Sequence, residues 1–227
     1  AKDGADVPLQ VGKNVKLSED KRTAMAEING QVTILAGKLN VEPIYVVNGD
    51  VNLKTGNILF LGTVLVKGNV EDGFDIKAAG NIEVMGSVGK SNLDAEGDII
   101  VHQGIAGKNG ALVRAGKSLW SKFIENCKVE SGDLVVVSDG IINSELFANR
   151  KVICKGKRAS IVGGHTRAAE EINAKTLGSV AGAETMVAVG YDPKTKAKLG
   201  ELQSKQESLR EELEDVNRNL GSLENVL

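Results

Sequence analysis

The stretch Gly80-Asn81-Ile82-Glu83-Val84 returns 17 residues later as Gly97-Asp98-Ile99-Ile100-Val101. In both, a glycine and then Asn or Asp open a short apolar alternation. The same phrase stands at Gly49-Asp50-Val51, Gly56-Asn57-Ile58, Gly68-Asn69-Val70 and Gly132-Asp133-Leu134, with weaker copies at Gly116-Lys117-Ser118-Leu119 and Asn149-Arg150-Lys151-Val152. Internal repeats are settled first because they decide the architecture. From Gly80 to Asn149 the copies fall 17, 19, 16 and 17 residues apart. Gly56, Gly68 and Gly80 fall 12 apart, which predicts a half-turn phrase inside a larger turn of about 24 residues. Glycine and Asn/Asp suit the left-handed or tight backbone of a corner. Ile82 and Val84 alternate with Glu83 and Met85, and Leu134 and Val136 with Val135 and Val137, which is strand periodicity.

Corner, short strand and corner again at this spacing predict an all-β fold, a right-handed parallel β-helix (solenoid) over residues 47–191. One such coil cannot bury its own apolar face, so stability comes from stacking neighbours. A left-handed β-helix needs a strict six-residue repeat, which is absent, and a β-sandwich with short strands every 8–12 residues is the alternative.

Composition agrees with stacked aliphatic turns: among 227 residues there are 27 glycines, 3 prolines and 3% aromatics. So few aromatics argue against a carbohydrate cleft, and a net charge of −2 leaves no global field to draw in nucleic acid or membrane. Cys127 and Cys154 lie in strand-like, aliphatic surroundings and read as small buried hydrophobes. No signal peptide or membrane-spanning run is visible. The chain opens at Ala1 without a methionine, so a fragment of a longer, cytoplasmic protein is expected.

Residues 1–46 do not carry the phrase. Thr23–Ile28, Asn29-Gly30 and Gln31–Leu35 predict a β-hairpin turning at Asn-Gly, and the region is expected to form a small N-terminal β cap that covers the open edge of the stack. The stretches Ser87–Glu96 and Gly104–Gly110, rich in glycine, are expected to protrude. Residues 192–227 change character. Asp192-Pro193 is a good helix start, and Leu199, Leu202, Leu209, Leu213, Val216, Leu220 and Leu223 follow at the 3–4 spacing of a coiled-coil seam, with Gln206 as its one polar core position. The alternative is an amphipathic helix lying on the β-helix. The pattern runs to Leu227 without a C-cap, so the helix is expected to continue.

Chemistry finds little support. Gly116-Lys117-Ser118 and Gly89-Lys90-Ser91 resemble the end of a phosphate-binding loop but lack its first glycine, those places being Ala111 and Val84. His102 and His165 have no ligand spacing with Cys127 and Cys154. Asp50, Asp98 and Asp133 sit at corners, where local hydrogen bonding explains them. No catalytic residue, cofactor or metal site is assigned. The basic run Arg150, Lys151, Lys155, Lys157 and Arg158 could meet an acidic partner, though a solvated outer face with Val152 and Cys154 pointing inward is the plainer reading. No aromatics interleave to stack bases, which counts against nucleic acid.

The series Gly56-Asn57-Ile58-Leu59-Phe60-Leu61-Gly62, Gly68-Asn69-Val70, Gly73-Phe74, Ala79-Gly80-Asn81-Ile82, Gly97-Asp98-Ile99, Gly104-Ile105, Lys122-Phe123-Ile124, Gly163-Gly164 and Leu177-Gly178-Ser179, then Thr185–Asp192 and a helix, resembles the bacterial flagellar assembly protein A family. Order rather than any single motif carries the likeness, which covers Gly49–Asp192. It implies a right-handed β-helix with a coiled coil, and a non-enzymatic, cytoplasmic scaffold or adaptor of flagellar assembly or placement at the cell pole. Its partners would be flagellar or polar-localisation proteins and further copies of itself, met through the seam residues and the basic run. A carbohydrate-active β-helix is the alternative, distinguished by three or more carboxylates converging in one groove, and an anion- or nucleic-acid-binding module is the third reading.

Overall fold

The computed structural model of the chain describes residues 10–19, 22–180, 182–190, 198, 200–210, 212 and 213. It separates into two compact units, Ala1–Val189 and Gly190–Leu227. The first is a β-solenoid of about 8 turns. Each turn offers three strand positions, so parallel strands stack in three columns. The first column begins with Ile44–Val47, Thr63–Val66, Ile82–Val84 and Ile99–Val101 and ends with Lys151–Cys154 and Glu171–Asn173. The second starts with the bridges Val51↔Val70↔Val88 and ends at Thr176–Leu177. The third runs from Ile58–Phe60 through Ile76–Ala78 and Asn92–Ala95 to Thr185–Val189. In the middle turns these positions fuse into long strands: Gly104–Ala115 joins the second and third columns, and Leu119–Ser131 and Leu134–Ala148 each run through all three.

Stacking in register is what makes the core. Val64, Ile82, Ile99, Leu119, Val135 and Val152 follow one another up the first column, each 0% exposed. Ile105, Ile124, Ile141 and Ile161 do the same in the second. Fully burying one such side chain contributes about 1.5–3 kcal/mol before chain entropy is counted. At the first turn Tyr45 and Phe60, their ring centroids 5.6 Å apart, pack against the end of this core.

Register also corrects the expected half-turn. Ile58 pairs with Ile76, and Val64 with Ile82, 18 residues apart in each case. Successive turns here are therefore as long as those further on, and the 12-residue spacing joins corners from different columns. Gly49, Gly68 and Gly86 stack in one column of corners; Gly62, Gly80 and Gly97 stack in another.

The corner phrase works differently from the expectation as well. Gly68, Gly80, Gly97, Gly116 and Gly132 are all absent from the positive-φ backbone that Gly56 and Gly73 adopt. They are glycines because the turn beneath leaves no room. A Cβ on Gly132 would run into the carbonyl oxygen of Gly116, and one on Gly80 would come within 2.8 Å of Thr63 Oγ1. On Gly97 it would strike Asn81 Oδ1. At Gly68, Gly86 and Gly97 the atom in the way is the side-chain oxygen of the Asn/Asp one turn back, which accepts a backbone N–H from the turn above. Ser87 N–H donates to Asn69 Oδ1 at 2.8 Å, Asp98 N–H to Asn81 Oδ1 at 2.8 Å, and Ser118 N–H to Asp98 Oδ1 at 3.0 Å. Glycine and the Asn/Asp side-chain oxygen are two halves of one joint between turns.

The expected protrusions are mostly absent. Ser87–Val88 and Asn92–Ala95 are strands of the stack. Only a bulge between Ala106 and Ala111 departs from it, with Lys108 and Asn109 left-handed. A further column of left-handed residues, Asn109, Asn126, Asn143 and Gly163, marks the corner between the second and third strand positions.

Before Pro43 the strands are antiparallel. Val15–Leu17 pairs with Ala24–Ala26, and Gln31–Leu35 with Lys38–Glu42. The hairpin therefore turns at Ala36-Gly37, where φ is 51° and 76°, and not at Asn29-Gly30. Two successive positive φ angles are what the tight hairpin turn demands. Asn29-Gly30 instead passes between two sheets, where Gly30 presses against the Glu42 carbonyl. In the second unit the described residues 198, 200–210, 212 and 213 are helical.

Candidate interaction surfaces

The corner ladder accounts for the acids that could have suggested catalysis. Asp50 accepts from the Asn69 N–H, and Asp98 from Ser118. Asp133 is held by Arg150 at 2.8 Å. Among the described residues there is no group of three or more His, Cys, Asp or Glu side chains able to hold a metal ion. His102 faces Glu83 across one turn at 2.8 Å, an exposed pair. His165 stands in register between Glu145 and Met186. Nor is there a phosphate cradle: the Lys90 N–H donates to Asp72 Oδ1 at 2.8 Å, so Gly89-Lys90-Ser91 is another corner joint.

Both cysteines are buried free thiols. Burial pushes the Cys127 thiol up to about 12. Burial, with Asp139 adding to it, pushes Cys154 to about 11. Neither is a thiolate near neutral pH, so neither is a ready nucleophile.

The basic run divides in two. Val152 and Cys154 point inward, 0% and 2% exposed, which puts Lys151, Ile153 and Lys155 on the outer face. Arg150 and Lys151 are engaged: Lys151 Nζ lies 2.9 Å from Glu171 and 3.9 Å from Glu170. The hydrogen bond between them raises the Lys151 pKa and lowers that of Glu171. Lys155, Lys157 and Arg158 follow at the next corner, exposed and in no salt bridge among the described residues, although the Lys155 charge is felt by Glu171. The stack thus uses the first two cations and leaves the last three.

Of the seam, Leu202, Leu209 and Leu213 are helical and 53%, 55% and 62% exposed. Leu199, Val216, Leu220 and Leu223 lie outside the described residues. A regular leucine stripe this exposed is an unfilled apolar face.

The sequence reading missed one feature. Val46, Leu65, Ile100, Trp120, Val136 and Ile153 share the outer row of the first column, interrupted by Glu83. Trp120, 36% exposed, is its largest member. The signal was present: each stands between two inward residues of a strand, where period 2 sends it outward.

No described helix is long and apolar enough to cross a membrane. Compared with known families, residues 43–226 match the one described as the flagellar assembly protein A β-solenoid domain. No curated protein and no solved structure matches the chain. The family match opens at Pro43, where the antiparallel strands end and the stack begins.

Proposed function

The chain belongs to the flagellar assembly protein A β-solenoid family, and we propose that it serves flagellar assembly as a rigid, non-enzymatic scaffold that associates through its helix. In this reading the solenoid winds right-handed, as parallel strand crossovers do. The antiparallel strands before Pro43 cap its first turn, and residues 192–227 form the coiled coil. The observation that carries the reading is the exposure of Leu202, Leu209 and Leu213, more than half of each side chain, on one helix. Core positions of a coiled coil that lack a partner in one chain gain it from a second helix.

The solenoid supplies stiffness instead of chemistry. Its corner acids are spent on joints between turns, and its thiols are buried. Its place would be the cytoplasm, at the cell pole where flagella are set. Partner proteins would meet the seam residues Leu199, Leu202, Leu209, Leu213, Val216, Leu220 and Leu223, and the outer cations from Arg150 to Arg158.

The test is light scattering on the full chain and on the double variant Leu209→Lys/Leu213→Lys. Wild type is expected at twice the chain mass and the variant at the chain mass, both with the same β-sheet circular dichroism. An unchanged mass in the variant would remove the seam as the interface.

A further inference from the structure

The two ends of the solenoid are finished differently. At the first turn Val47, Val51 and Ile58 are 8%, 0% and 7% exposed beneath Tyr45 and Phe60. At the last turn Leu177 and Val189, in register with the fully buried Ile161 and Ala168, are 58% and 53% exposed. The strands Glu171–Asn173, Thr176–Leu177 and Thr185–Val189 each pair on one side only among the described residues. Among the described residues nothing pairs with their other edge, a row of backbone donors and acceptors that is the template for one more strand.

Charge selects what that strand should carry. Lys155, Lys157, Arg158 and Lys175 gather at the corner between the first and second strand positions of the last two turns, exposed and in no salt bridge among the described residues. Among the described residues Asp139, one turn back, and Glu184 are acids in no salt bridge, while Glu170 and Glu171 are held by Lys151, with Lys155 acting on Glu171 as well. Arg158 also lines an open cleft of about 830 Å³ together with Ser160, Thr176, Leu177, Val180 and Thr185.

We propose that the last turn is a strand acceptor for an acidic, extended segment of another protein, which pairs with the free edge, covers Leu177 and Val189 and sets its carboxylates against Lys155, Lys157, Arg158 and Lys175. Backbone pairing gives such strand addition its affinity, and side chains give it selectivity. A second copy of the chain fits less well. Tail to tail, it would bring two sets of these four cations together. Head to tail, it would meet the end filled by Tyr45 and Phe60.

The probe is a fluorescein-labelled peptide of alternating valine and glutamate, titrated with the full chain and followed by anisotropy. Saturable binding is expected, weakened at least about tenfold by Lys157→Glu/Arg158→Glu and by raising salt from 0.05 to about 0.5 M, as screening of exposed charge requires. The control Lys54→Glu, at an exposed corner of the first turn, should leave binding unchanged. Equal binding of a valine–lysine peptide, or indifference to the double reversal, overturns the proposal. So does a chain mass that doubles with concentration and is halved by Leu177→Lys, because the occupant is then a second copy. The proposal rests on the outer-cation part of the proposed function and not on its seam: the variant Leu209→Lys/Leu213→Lys should bind the peptide as wild type does, so failure here removes the cation surface and leaves the helical seam standing.

Discussion

Ile161 and Leu177 occupy the same column one turn apart, yet one is 0% and the other 58% exposed. Nothing in their chemistry separates them. What differs is whether another turn follows among the described residues. In the middle of the stack every turn is both roof and floor, so each inward side chain loses water on two sides and each strand pairs on both edges. The last turn is roof only. A solenoid therefore has a sharp internal gradient: its middle is held by stacking that its end cannot have.

The largest test of this gradient compares two truncations of similar size. Ile99→Ala removes a side chain that is 0% exposed between Ile82 and Leu119. It should destabilise the chain by about 2–5 kcal/mol, the range for large-to-small changes in a close-packed core. Leu177→Ala, at an exposed position, should stay within about 0.5 kcal/mol. Denaturant unfolding of both variants measures the difference, and equal losses would mean that the last turn is as tightly packed as the fourth.

A smaller effect separates two corner glycines. Gly132→Ala forces a Cβ into the Gly116 carbonyl oxygen, whereas Gly49→Ala meets nothing within 4 Å and needs no positive φ. The first should cost about 1–3 kcal/mol, as overpacking does. The second should be neutral or stabilising by up to about 1 kcal/mol, because alanine restricts the unfolded chain. Melting curves suffice. If both alanines behave alike, close approach between turns is not what the corner glycine provides.

How much of this was legible beforehand follows from the same gradient. The period, the strand alternation and the all-β stack are written in Gly80–Val101 because each inward position must be apolar and each corner tight. Stack register is not local information. Ile58↔Ile76 was hidden by the Gly56, Gly68 and Gly80 spacing, which counts corners of different columns as one series. The hairpin was misplaced for a related reason. Asn29-Gly30 carries the stronger local turn signal, but strand pairing selects Ala36-Gly37. As for the surfaces, Arg150–Arg158 was visible as a charge run. That Glu171 takes Lys151 out of it depends on a pairing 20 residues away. The outer row around Trp120 needed the column as well.

The smallest expected effect lies in that Lys151–Glu171 pair, which ties the last turn to the one before it. Its pH dependence follows from the shifts. Glu171 is acidified by the hydrogen bond from Lys151, so its contribution is present above the ordinary carboxylate range and is lost as pH falls through its lowered pKa. Lys151 is made more basic by Glu171, so its share is present below the usual lysine value and is lost as pH rises through its raised pKa. Both side chains are partly open to solvent, and global unfolding at neutral pH should scarcely register Glu171→Gln. Local opening should register it. Hydrogen exchange at Glu171–Asn173 is expected to quicken in the variant at neutral pH, by less at high salt, while the strand Ile99–Val101 keeps its protection. If exchange quickens equally in both strands, the turns open together, and the difference between the middle and the end of the stack is one of exposure alone, not of local stability.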